Sequence, residues 1–262
     1  MPITSFDGYI AAAKQRIQWI KTTTRTTVAA AWFSLFDIAG VPGAGTLAGA
    51  STTAGVVPTD ATTGCPVITD FAGTGYLTSV EFGSSVATRL GIFDMLFKAG
   101  AYAFNASQAL SAQPSYSGRI PSGDYKGTQI WIEAVTAFTG NPTITVTYTN
   151  QDGTTGRTTG AVAFGLAPTL GRMIQLPLQA GDTGVQKIES VTCTVATVGT
   201  FNVLVLRPLW TGRVRVVNDG DNHGPDKTGM PVVFQDSALI VLVNADSTSS
   251  GIPELSIEIA NG

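Results

Sequence analysis

From Tyr76 onward the chain is built of short runs in which apolar and polar residues alternate, each run closed by Gly, Pro, Asn or Asp. "GYLTSVEF" (75–82) sets Leu77, Ser79 and Glu81 against Thr78, Val80 and Phe82. "TQIWIEAVTAF" (128–138) puts Ile130 and Ile132 on one face and Trp131 and Val135 on the other. "PTITVTYTNQDGTTGRTTGAVAF" (142–164) reads as a hairpin, with Ile144, Val146 and Tyr148 ahead of an Asp-Gly turn. Similar runs follow in "GRMIQLPL", "VQKIESVTCTVA", "TFNVLVLRPLW", "GRVRVVN", "ALIVLVNA" and "PELSIEIA". A period of two belongs to strands, and roughly ten strands at this spacing make a sandwich or jelly roll. No β-α-β rhythm is present, which argues against a doubly wound sheet. One run, "VATRLGIFDMLF" (86–97), fits either a helix through Val86, Leu90, Phe93 and Phe97 or a strand over Leu90–Phe93.

The composition agrees. Charged residues make up 13% of the chain, against roughly 25% in an average soluble domain. The deficit is filled by Ala, Gly and 36 threonines, whose branched Cβ suits a pleated, half-buried surface. An exterior of neutral hydroxyls is cheap to desolvate, so it suits a protein covered by neighbouring subunits. A net charge of −3 offers no footprint for nucleic acid. Cys65 and Cys193 form no CxxC pair and read as small apolar fillers.

The first 75 residues differ in character. Phe6, Ile10, Ala13, Ile17 and Ile20 recur at steps of four and three, which predicts an amphipathic helix over 5–21 capped by Ser5 or Thr4. Residues 40–75 are rich in Gly, Ala, Thr and Pro without periodicity, and are expected to run as an extended arm. The start lacks the charged-then-apolar order of a signal peptide. The most apolar stretch, 28–50, is broken by Asp37 and Pro42, so no membrane span is expected. The predicted organisation is an N-terminal helix and docking arm over 1–75 and an antiparallel β-sandwich, jelly-roll-like body over 76–262. Residues 211–262 belong to that body or extend it with further strands.

Chemistry-bearing motifs are few. "NDGDNHGPDKTG" (218–229) places Asp219, Asp221, His223 and Gly224 at positions 1, 3, 5 and 6 of a calcium loop, but Met230 stands where a bidentate Glu is needed. Asp219, Asp221 and Asp226 sharing one weakly held cation is the alternative; a solvated or subunit-facing turn is the expectation. His223, the sole histidine, has no GxSxG serine to activate. "GAGTLA" (43–48) satisfies GxGxxA, yet no helix-forming sequence follows it. Glu81, Asp94, Glu133, Glu189, Glu254 and Glu258 are the carboxylates of the structured region; most fall on outward positions of predicted strands, and no pair is set apart for glycoside cleavage. No metal, no cofactor and no catalytic residue is expected. Phe6, Ile10, Ile17 and Ile20 on the helix are the expected interface, with Arg213 and Arg215 on a basic strand face ready to pair with a neighbour's carboxylate.

Four blocks, "FDMLFKAGAY", "PTITVTYTNQDGTTGRTT", "LQAGDTGVQKIESVTCTV" and "GTFNVLVLRPLW", resemble in the same order a β-rich protein of tailed-bacteriophage structural modules. They cover roughly residues 76–210, and the "AGDTGV" turn and the hairpin are the distinctive parts. The resemblance implies a virion component, made in the host cytoplasm and associated with the capsid. The expected function is therefore a non-enzymatic decoration or cement protein whose partners are capsid subunits and copies of itself. The alternative is a tail-tip or fibre module that binds a host-surface receptor or glycan, with Trp131 and Trp210 as candidate stacking rings; burial in apolar strands is the expectation for both.

Overall fold

The computed structural model describes residues 3–103, 107–165, 169–193 and 198–262. A short helix, α1 (Phe6–Ala11), leads into β1 (Ala13–Lys21), followed by β2 (Trp32–Ser34), β3 (Gly40–Val41), β4 (Gly75–Ser84), β5 (Thr88–Ala103) and β6 (Ser107–Ala109). The middle of the chain supplies β7 (Gln129–Ala134), β8 (Thr143–Asn150), β9 (Arg157–Thr158), β10 (Val162–Ala163), β11 (Arg172–Leu176) and β12 (Val185–Cys193). The last third contains β13 (Thr200–Val214), β14 (Asp219–His223), α2 (Pro225–Thr228), β15 (Val232–Val233), β16 (Leu239–Ala245) and β17 (Pro253–Asn261). All the strand pairings found are antiparallel. The chain is mainly β, as its alternation predicts.

The layers follow from which side chains each strand turns inward. Strands β11, β2, β16, β5, β13 and β7 close into a barrel. Alternate residues of β16 (Ile240, Leu242), with Trp131 of β7, Met173 of β11 and Leu204 and Leu206 of β13, fill its interior. The residues between them face out. Leu239, Val241 and Val243 of β16 pack against a sheet ordered β14-β4-β17-β1-β3. Ile130 and Ile132 of β7 pack instead against a sheet ordered β10-β8-β12-β6. The barrel thus stands between two sheets, with three apolar clusters in all.

β5 and β13 run the full height of this stack. Leu90 and Ile92 of β5 join one outer cluster, Phe93 and Met95 the barrel interior, and Leu96, Phe97 and Ala99 the other outer cluster. The two strands pair with three register irregularities, which re-aim side chains as the ladder passes between layers. Both faces of β5 are covered almost throughout. That is why 86–97 shows no clean alternation.

The N-terminal expectation needs correction. α1 covers six residues, and from Ala13 the chain is a strand paired with β17 along its length. Ile17, Trp19 and Lys21 turn inward with a period of two, Ile17 and Trp19 into the core and Ile20 to the opposite side. The apparent four-three spacing is a coincidence of Ala13 and Ile20 with that alternation, and pairing with a long neighbouring strand overrides it. β2 likewise lies inside the barrel, so residues 1–75 contribute to both the barrel and a sheet.

The Gly-rich stretch has a specific seat. Leu47 projects into the barrel interior, while Asn202 Oδ1 accepts from Gly49 N–H at 2.8 Å and Asn202 Nδ2 donates to the Leu47 carbonyl at 2.7 Å. A Cβ on Gly45 would stand 2.3 Å from the Phe36 ring, and one on Gly49 2.6 Å from the Gly100 nitrogen. "GAGTLA" is a plug at one end of the barrel, and Gly45 within it and Gly49 just after it allow close approach of backbone to wall.

Candidate docking surface

α1 is held at its start by Ser5 Oγ, which accepts from Gly8 N–H at 3.0 Å. Lys14 Nζ donates to the Tyr9 carbonyl at 2.7 Å near its end. None of its residues is buried. Its link to the body is the Tyr9 hydroxyl, which donates to Glu258 Oε1 at 2.9 Å; Arg16 meets the same carboxylate at 3.5 Å. Phe6 is 73% exposed and Ile10 60% exposed. The helix therefore presents an apolar pair to solvent. Of the expected interface residues, Phe6 and Ile10 are accessible, Ile17 is buried in its own core, and Ile20 is half-buried.

The Asp-rich segment 218–229 is an edge strand and a helical turn rather than a loop. β14 pairs with β4 from Asp219↔Ser84 to His223↔Val80. It is stapled by aromatic contacts: Trp210 Nε1 donates to His223 Nδ1 at 3.0 Å, and the Phe82 ring centroid lies 4.8 Å from Trp210 and 5.0 Å from His223. His223 Nε2 faces Asp221 Oδ2 at 3.6 Å. Asp221 is held below the usual carboxylate range first by the Asn222 N–H, which it accepts, with Lys227 and His223 adding to the effect. Among the described residues no three His, Cys, Asp or Glu side chains converge as a metal site would require. Asp219, Asp221 and Asp226 do not form one.

Two further expectations change. Arg213 pairs within its own chain, with Asp246 at 3.1 Å; Arg215 is exposed. Of the six carboxylates, most of which were expected to face outward, three are buried: Asp94, Glu133 and Glu258. Asp94 sits between Arg119 and Arg207, the latter at 3.1 Å, and accepts from Ser237 Oγ at 3.0 Å. Glu133 lies 3.8 Å from Lys98 and accepts from Asn202 Nδ2 at 2.8 Å. Glu258 is the anchor of α1. These groups are ion-paired parts of the framework. Trp131 and Trp210 are 3% and 5% exposed, as expected of rings in apolar strands. Cys65 and Cys193 are buried and unbridged, with burial pushing the Cys65 thiol up to about 12.

A second surface feature had no signal in the sequence. A cleft of about 740 Å³ is lined by Trp32, Arg89, Arg213, Arg215, Asp219 and Asp221, at the Arg213 end of β13 and away from the end where Asn202 holds the Leu47 segment. Its residues are brought together by register alone. Arg213 stands opposite Arg89, Arg89 opposite Asn244, and Asn244 opposite Trp32. That row continues inside the barrel through Met173 and Glu133 to Asn202.

No family model matches the chain, and no curated protein matches it. Among solved structures, the similarities include infectious bursal virus derived T=1 particles, at 9% identity and a TM-score of 0.19, covering 95% of this chain and 78% of that one. The VP2 subviral particle of infectious bursal disease virus gives 10% identity and a TM-score of 0.19, covering 96% and 81%. Similarity at this level carries no argument about fold or function.

Proposed function

We propose that this chain is a non-enzymatic structural component of a bacteriophage virion, a decoration or cement protein that docks on the capsid shell through repeated neutral contacts. The observation that carries the reading is α1: a six-residue helix with no buried residue, holding Phe6 and Ile10 in solvent at the edge of the body. Covering two such side chains is worth about 1.5–3 kcal/mol each, a modest gain per copy that symmetry multiplies over a shell. The surface supports the same reading. Of fifteen basic and eighteen acidic side chains, eight are buried, which leaves few ionised groups for the whole exterior. The four sequence blocks that resemble phage structural modules supply the particle. Trp131 and Trp210 are buried, so a tail-tip or fibre module that reads glycans would have to use other rings.

The test is docking to particles assembled without this chain. Wild-type protein is expected to cosediment with them to saturation. F6S/I10S is expected to keep the wild-type circular dichroism and unfolding midpoint while its apparent Kd rises at least tenfold. Equal binding of variant and wild type would remove α1 from the interface; no binding of either would remove the particle.

A further inference from the structure

We propose that the cleft at the open end of the barrel binds an acidic saccharide, with a sugar ring laid on Trp32 and its carboxylate gripped by Arg89 and Arg213. In antiparallel strands, residues directly opposite each other share a face, and like charges in that position repel. Arg89 of β5 and Arg213 of β13 are such a pair. Asp246 answers one of them, at 3.1 Å from Arg213. The Arg89 side chain is exposed and makes no hydrogen bond or ion pair among the described residues. Among the described residues neither Asp219 nor Asp221 pairs with an arginine, although both line the cleft. Asp246 is engaged by Arg213, so Arg89 carries a guanidinium with no partnered acid, and the planar fork of Arg matches a carboxylate in two hydrogen bonds.

The rest of the cleft decides between a bare anion and a sugar acid. Trp32 is half-buried at the rim, braced edge-on by Trp131 with ring centroids 6.4 Å apart, and so presents a fixed aromatic surface. Asp219 and Asp221 would repel a second anionic group but accept hydrogen bonds from hydroxyls. The volume, about 740 Å³, is that of a ligand site rather than of a single ion. An aromatic platform, a guanidinium fork and two hydroxyl-accepting carboxylates together describe a ligand with one negative group among neutral hydroxyls. The inference does not rest on the capsid reading and survives its failure.

Calorimetric titration of the full chain with a glucuronic acid tetramer, a neutral glucose tetramer and inorganic phosphate is the test. The acidic tetramer is expected to bind, the neutral one at least tenfold more weakly, and R89Q to lose at least tenfold in affinity for the acidic tetramer. The unliganded R89Q variant is expected to unfold at the wild-type temperature or above it, since it removes a repulsion. Four results would overturn the proposal: no binding of the acidic tetramer, equal binding of both tetramers, phosphate binding as tightly as the acidic tetramer, or an unfolding midpoint lowered by R89Q, which would make Arg89 a structural residue.

Discussion

Asp94 is wholly buried between Arg119 and Arg207 and also takes the Ser237 hydroxyl. It joins β5, β13 and the turn at 117–119, so its removal leaves two guanidiniums buried without their anion. D94N is expected to lose about 3–5 kcal/mol of unfolding free energy, measured by urea denaturation. Lys21 is the opposite case, a buried ammonium without a carboxylate. Its Nζ donates to the carbonyls of Ile38 and Pro42 at 3.0 and 2.9 Å, and burial, against a smaller opposing pull from Asp37, brings it down to about 8. Below pH 8 both folded and unfolded chains carry the charge, and the cost of burying it is full. Between pH 8 and 10.5 the unfolded chain holds a proton that the folded chain has released, so stability rises with pH. Wild type is expected to gain on K21M across that window by up to about 3 kcal/mol. A pH-independent difference between the two would refute it.

At the scale of elements, the "AGDTGV" turn and the hairpin after Pro142 prove to be one unit. Asp182 accepts from Arg157 Nε of β9, Asn150 Nδ2 of β8 and the Tyr148 hydroxyl, at 2.8, 2.8 and 2.7 Å. Burial pushes its carboxyl up, but these hydrogen bonds more than offset that and hold it at about 2. A depressed carboxyl stabilises above its ordinary range and loses that contribution as pH falls toward 2. D182N is expected to cost about 1–2 kcal/mol at pH 7, after allowance for solvent screening. It should also flatten the acid limb of the stability profile, with faster amide exchange in β8 and β9 as the local readout. Alternation made these strands legible because one face of each meets a core and the other meets solvent. It failed at β5, covered on both faces, and at β1, where Trp19 and not Ile20 points inward. β14 could not be read at all: Asp, Asn and Gly disfavour strands, and the segment is held by pairing with β4 and by the Phe82 ring, which lie far off in sequence. In β4, Leu77 and Val80 both face the core, because an irregularity opposite Glu258 and Ile259 absorbs one residue.

For the whole molecule, composition announced the antiparallel β class, and the run of strands announced its scale. The barrel between two sheets was not legible, since closure depends on which distant strands pair. The same holds for the cleft, whose arginines and tryptophan come from three segments and meet through register. Of the four apolar residues that the sequence offered as an interface on a longer helix, Phe6 and Ile10 remain uncovered in the folded chain. A protein with so few ionised side chains for its length is suited to being covered. Counting copies of this chain in purified phage particles by quantitative mass spectrometry tests that most directly. Hundreds per particle, in fixed ratio to the major shell subunit, are predicted; a handful per particle, or none, would contradict a shell-covering role.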